Sequence, residues 1–231
     1  MALLGKAAMI LSFDVAPEAI AEHDDWHSHE HFHERMSIPG FLRGSRWVAR
    51  SGQPDYFVMY EVEDLDTLAS PPYLERLNSP SPWTSKMMTQ YRGMKRGFCR
   101  VICSYGFGLG QVGLLIRFSP DPEKEAALRN WLSHELLPTL PAQRGLVSAH
   151  LFAAAGQPDL TVEQRIRGKD AAIDWVLLVS GYAANVVDAL AGNALSAEEL
   201  ERHGATEIVA GIYHLAHSLT ECESATPNLN V

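Results

Sequence analysis

Five of the chain's ten histidines, His23, His27, His29, His31 and His33, fall within eleven residues of the stretch "HDDWHSHEHFHERM". An imidazole changes charge near neutral pH, so it can both take and give a proton, and it is also a common metal ligand. A helix turns about 100° per residue, which sorts the five into two stripes. His23, His27 and His31, spaced i, i+4, i+8, share one face; His29 and His33 lie on roughly the opposite side. Glu30 sits beside the first stripe, where it could orient an imidazole or act as a second acid–base group. The candidate catalytic set is therefore His31, His27 and Glu30, suited to isomerisation, cyclisation, decarboxylation or elimination next to a carbonyl.

Other chemistries fit less well. His27 and His31 have the spacing that brings two imidazoles to one divalent metal, or offers one axial ligand to haem. A third metal ligand would have to be Glu30 or a strand carboxylate such as Asp14, and "HEHFH" is not the HExxH spacing. The cofactor-free reading is preferred, with metal or haem as the alternative. The Ser28-His29 and Ser133-His134 neighbours point different ways on a helix, which disfavours a nucleophile–base pair. "GFGLGQVG" leads into a strand rather than a helix, so it lacks the positive helix end of a phosphate site. Cys99, Cys103 and Cys222 show no CxxC spacing and suggest neither a disulfide framework nor a zinc site. Strand alternation places Cys99 and Cys103 on one face.

The elements that must position these groups follow from an internal repeat. Trp26-His27-Ser28-His29-Glu30 recurs as Trp131-Leu132-Ser133-His134-Glu135, 105 positions on, and Gly40 recurs as Gly145. "GQPD" at 52–55 returns at 156–159. Each copy reads strand, helix, strand, strand, helix, strand, the ferredoxin-like split βαβ order. Strands are expected over "AAMILSF", "FLRGSRWVAR" and "DYFVMYEVE", with the first helix opened by Pro17. The second copy carries about a dozen extra residues, "LTVEQRIRGKDAA". The expected units are 1–108, holding the pocket, 109–219, degenerate, and a loosely ordered tail, 220–231. The fold class is α+β: two fused ferredoxin-like units packed sheet to sheet as a barrel within one chain.

The repeat also orients the helix. The counterparts of His23, His27 and His31 are Leu128, Leu132 and Leu136, an apolar stripe that should pack on the sheet. Three imidazoles are thus expected to face inward in the first half, where a pocket has replaced solid core. Arg46, on the next strand, could hold a carboxylate or a developing enolate oxygen. With His23 it joins Trp47, Tyr60, Tyr73 and Trp83 as the expected substrate-binding set, the aromatics walling a pocket for a small aromatic or carbonyl compound. Such a cavity would equally serve a non-catalytic binding or accessory protein.

The stretches "WHSHEHFHERMSIPGFLRGSRW" and "YFVMYEVEDLDTLASPPY" resemble the EthD-like branch of the dimeric α/β-barrel superfamily. The matching features are Trp26, His31 five places on, the turn Pro39-Gly40-Phe41 and the strand pair Arg46-Trp47. The position after the Trp, often Tyr in that family, is His27, and a frequent Pro is His33. In the second half Leu136 replaces the family histidine. The resemblance implies a two-sheet barrel with helices outside and a pocket between them. It does not imply one chemistry, since the superfamily hosts cofactor-free oxygenases, isomerases, cyclases and haem enzymes.

Composition narrows the partners. A formal charge of −9 with no basic run argues against nucleic acid. No stretch approaches 18 apolar residues, and the N-terminus lacks a signal-peptide pattern, so neither a membrane span nor export is expected. A cytoplasmic protein acting on a small molecule, with a possible homodimer, is the expectation.

Overall fold

The computed structural model describes residues 2–156, 161–167 and 170–225. The first half runs β1 (Ala7–Val15), a short 3-10 turn from Pro17, α1 (Ile20–Trp26), a π-turn over His27–His31, α2 (Phe32–Met36), β2 (Phe41–Ser51), β3 (Tyr56–Val62), α3 (Pro71–Asn78), α4 (Pro82–Met88) and β4 (Tyr91–Gly106). The second half runs β5 (Val112–Pro120), α5 (Glu125–Asn130), a π-turn over Trp131–Leu136, β6 (Leu146–Ala154), α6 (Val162–Arg167), β7 (Ala171–Ala172), β8 (Trp175–Gly181), α7 (Ala184–Gly192), α8 (Ala197–Arg202) and β9 (Ala205–Thr220). A short α9 (Glu221–Ala225) follows, within the segment expected to be a loose tail; 226–231 lie outside the described residues, as does most of the second "GQPD".

The strands close into an eight-stranded antiparallel barrel in the order β1-β3-β2-β9-β5-β8-β6-β4, with β4 returning to β1. Closure leaves the barrel no open edge among these strands. The halves meet where β2 pairs β9 and β4 pairs β6. Helices cover the outside, and no helix among the described residues is long and apolar enough to cross a membrane.

Strand alternation sorts the side chains into three cores. Along β1, Met9, Leu11 and Phe13 face the first-half helices, whereas Ala8 and Ile10 face the barrel interior with Trp47, Phe57 and Phe152. A separate core joins the second-half helices to their strands through Leu114, Leu128, Leu132 and Leu177. In each half the turn between the first helical segment and the next strand carries a glycine in the left-handed region, Gly40 at φ 89° and Gly145 at φ 103°, a conformation that a Cβ would strain. At Gly44 of β2 a Cβ would stand 2.5 Å from the Phe32 ring, so glycine is what lets α2 lie on the sheet.

The cysteines depart from simple alternation. β4 carries a register shift between Val101 and Cys103. The extra residue turns the strand over, so Cys99 faces the barrel interior while Cys103 packs against the second-half helices.

Candidate functional site

The first-half helix delivers its histidine stripe to the inside. His23, His27 and His31 are 0%, 2% and 5% exposed, while His29 and His33 face outward. In a regular helix each four-residue step overshoots by about 40°, so a long i+4 series drifts off one face. The π-turn over His27–His31, with its wider i→i+5 closure, takes up that drift. Ring centroids of His23 and His27, and of His27 and His31, are each 5.4 Å apart. Arg35 continues the i+4 series and is 2% exposed.

Between this helix and β1, β3 and β4 lies a cavity outlining about 370 Å³ of non-atom space, part of it open solvent, of which about 20 Å³ is open to a water centre. That is room for about one water. Its polar lining includes His27, His31, Arg35, Tyr60, Tyr73, Arg96 and Glu163, set among Met9, Leu11, Phe13 and Val58. Of the residues expected from sequence, His27, His31, Tyr60 and Tyr73 line it.

The others do not. Glu30 points to α4, where it accepts hydrogen bonds from Ser81 Oγ at 2.5 Å and Thr84 Oγ1 at 3.4 Å, so it orients no histidine. His31 Nδ1 stands 3.6 Å from a Glu34 carboxylate oxygen. His23 lies one turn from the cavity, held by Asp24 at 3.1 Å and walled by Phe13, Tyr56 and Tyr91. Arg46 donates to the Asp24 backbone carbonyl at 3.0 Å and is not part of the cavity wall. Trp47 follows Arg46 on the strand and therefore takes the opposite face, inside the barrel. Trp83 donates to Glu22 on the outer side of α1. Asp14 accepts from the Asp55 backbone N–H, away from the histidines. In the second half Leu136 is only half-buried; the π-turn there brings Leu137 inward beside Leu128, Leu132 and Leu140.

Three charged groups of the site were not expected. Arg35 Nη2 donates to both carboxylate oxygens of Glu163, at 2.7 and 2.6 Å. Arg96 Nε stands 3.2 Å from Asp170. Glu163 lies on α6, within the extra residues of the second half, so the insertion in one unit roofs the cavity of the other. Continuation of the i+4 series to Arg35 was a signal available in the sequence; nothing local marks its partner 128 positions away.

Electrostatics follow from burial. Desolvation first, then the neighbouring His31, His23 and Arg46, hold the His27 pKa well below its usual value, so the ring is neutral at pH 7. Burial also lowers His23, opposed by Asp24. The Tyr60 hydroxyl is pushed well above its usual range by burial and stays protonated, 3.3 Å from His27 Nε2. Burial alone would lower the Arg35 pKa; Glu163 beside it holds the guanidinium charged. His27 Nδ1 and the Arg35 Nε and Nη1 groups are buried with no hydrogen-bond partner among the described residues.

Among the described residues no set of three or more His, Cys, Asp or Glu side chains is arranged to hold a metal ion. The water-sized room in the cavity does not fit a haem in this arrangement.

No family model matches the sequence, and no curated protein matches it in sequence. Similarity is found in structure. An anthrone oxidase-like protein superposes with a TM-score of 0.64 at 10% identity, over 99% of each chain. A protein from Fusobacterium nucleatum, provisionally named a monooxygenase, gives 0.62 at 7% identity over 94% of this chain and 96% of its own. One from Lactobacillus acidophilus, similarly named, gives 0.59 at 10% identity over 93% and 96%. The chain has the dimeric α/β-barrel fold, with the eight-stranded barrel closed within one polypeptide.

Proposed function

We propose that the chain is an enzyme that moves protons on a small aromatic or carbonyl-containing compound without a cofactor, a lyase, isomerase or cyclase. The observation that carries this reading is the neutral, buried His27 at the wall of a cavity, with an unpartnered ring nitrogen and a charged guanidinium in the same wall. Tyr60 engages Nε2, and the free position of the ring takes the substrate proton. Negative charge developing on the substrate oxygen meets the Arg35 N–H groups and the protonated Tyr60 hydroxyl. Fixed donors in a water-poor site stabilise such charge far better than they would in bulk water. The oxyanion then raises the basicity of the new imidazolium's conjugate base, so His27 becomes a stronger base as the reaction proceeds. His31 lies in reach to return a proton at a second carbon. The EthD-like branch and an ancestral duplication are part of this proposal, supported by the Trp26-to-Trp47 pattern and the paired glycines, Gly40 and Gly145.

A second reading is favoured by the names of the fold neighbours: the same carbanion or phenolate, formed at His27, would be handed to dioxygen. Both readings share the first proton transfer, so one assay tests it. Small aryl ketones and phenyl-substituted keto compounds are incubated in D₂O and exchange at the carbon next to the carbonyl is followed by proton NMR. Catalysed exchange that disappears in His27→Asn supports the proposal. Binding of these compounds with no exchange in the native protein would make it a carrier. Oxygen uptake with the same panel separates the second reading from the first.

A further inference from the structure

Resting on the pocket assigned above, we propose that its substrate carries a carboxylate, which binds the Arg35 guanidinium in place of Glu163. Arg35 is 2% exposed, and only its Nη2 is engaged; Nε and Nη1 have no partner among the described residues. A guanidinium matches a carboxylate through two parallel N–H groups, Nε with Nη2 or Nη1 with Nη2; Glu163 holds Nη2 alone, so a ligand carboxylate gains a full edge by displacing it. Glu163, also 2% exposed, already shows that a carboxylate can be accommodated at this cation.

The origin of that carboxylate matters. It comes from α6, in the insertion that the first half lacks, and not from the sheet or helix that carry Arg35. A buried ion pair rarely stabilises a fold more than apolar side chains of the same volume would. The second half fills the place equivalent to Arg35 with Leu140, 1% exposed, at no such cost. Retaining Arg35 and supplying its counter-ion from a separate element is therefore best explained by a ligand anion that takes over the same cation. Arg96, paired with Asp170 just beyond α6, repeats the arrangement on the opposite wall.

Only about 20 Å³ of the cavity is open to a water centre, so an aromatic acid enters by moving side chains that cover it. Displacing Glu163 by a ligand carboxylate keeps the charge of the cavity unchanged and frees α6 from its ion pair with Arg35. Other contacts of α6 include the Val162 N–H to Asn78, Gln164 to Asp170, and packing against α3 and α4. An aromatic acid would then lie with its carboxylate on Arg35 and its ring against the apolar wall of Leu11, Phe13 and Val58, below His27.

Benzoate and its neutral isostere benzamide test this by calorimetric titration of the native protein and of Glu163→Gln. The variant keeps the shape of the side chain and removes the competing charge. We expect benzoate to bind the variant about ten-fold more tightly than the native protein, a difference of about 1.4 kcal/mol, with benzamide indifferent to the change. Equal affinities of benzoate and benzamide for a variant with a native circular dichroism spectrum would overturn the proposal. If the variant does not fold, hydrogen exchange on the native protein decides. Saturating benzoate should speed exchange in residues 161–167 and slow it in 20–36; unchanged exchange in 161–167 would overturn the proposal as well. Loss of proton exchange on ketones with benzoate binding intact would instead count against the catalytic reading alone.

Discussion

The two long helices of the molecule are built on one plan and filled with opposite chemistry. Both begin after a first strand, both carry a π-turn at the same place, and both are followed by a turn with a left-handed glycine. The second presents Leu128, Leu132, Leu137 and Leu140 to its strands and packs solid. The first presents His23, His27, His31 and Arg35 and leaves a cavity. Burying imidazole and guanidinium where leucine would fit sacrifices apolar burial and leaves ring and guanidinium nitrogens to be satisfied. One half thus supplies a rigid scaffold, while the other carries strained polarity of the kind found at working sites. The solid half also lends the hollow one its roof, through α6.

That contrast can be broken at graded cost. Replacing His27 by Asn should lower the rate of the proposed proton transfer by about 10²- to 10⁴-fold, the usual contribution of a positioned acid–base group; a loss under a few-fold, measured on a folded variant, would remove His27 from the chemistry. Arg35→Met should destabilise the fold by about 3–5 kcal/mol in denaturant titration, because Glu163 is left buried and alone. The double variant Arg35→Met with Glu163→Leu should regain most of that, and failure to do so would show that the pair is structural. His23→Leu, which installs the residue of the twin, should leave exchange chemistry largely intact and stabilise the protein by about 1–2 kcal/mol, since His23 Nε2 is buried without a partner. Glu30→Gln should change turnover by less than about three-fold, because its half-buried contacts to Ser81 and Thr84 face α4 and not the cavity.

Acid sensitivity belongs to the hollow half and the barrel interior. Burial lowers the pKa values of His23 and His27, and that of His150 to about 3. Below about pH 6.5 the unfolded chain takes up protons on these rings and the folded chain does not. Stability is therefore full above pH 6.5 and declines as pH falls, each ring contributing up to about 1.4 kcal/mol per unit until its own folded-state pKa is passed, with the His150 share continuing to about pH 3. Denaturation midpoints between pH 4 and 8 should show the slope, and His23→Leu should make it shallower.

Much of this was legible in the sequence. The repeat, the strand order and the inward stripe follow from periodicity and from the leucines that stand in for the histidines. Arg35 continued a spacing already noticed. Alternation along β2 was enough to separate Arg46 from Trp47, which cannot share a face. Other features were not local. Glu163 reaches the cavity from an insertion in the other half, and no pattern around it marks that destination. Glu30 turns away because Ser81 and Thr84 happen to lie across from it. The π-turns and the bulge in β4 shift side chains by one position, which regular periods of 3.6 and 2 do not register, and that shift decided the places of Leu137 and Cys103.

The most direct test of the hollow half is the ionisation of His27 itself. Ring carbon and nitrogen resonances of the native protein, assigned by comparison with His27→Asn, can be followed by NMR from pH 8 to pH 5. A buried neutral imidazole at the cavity wall should show no titration across this range. A ring that protonates near pH 6.5 would mean that water reaches it freely, and the buried site with its proton chemistry would be contradicted.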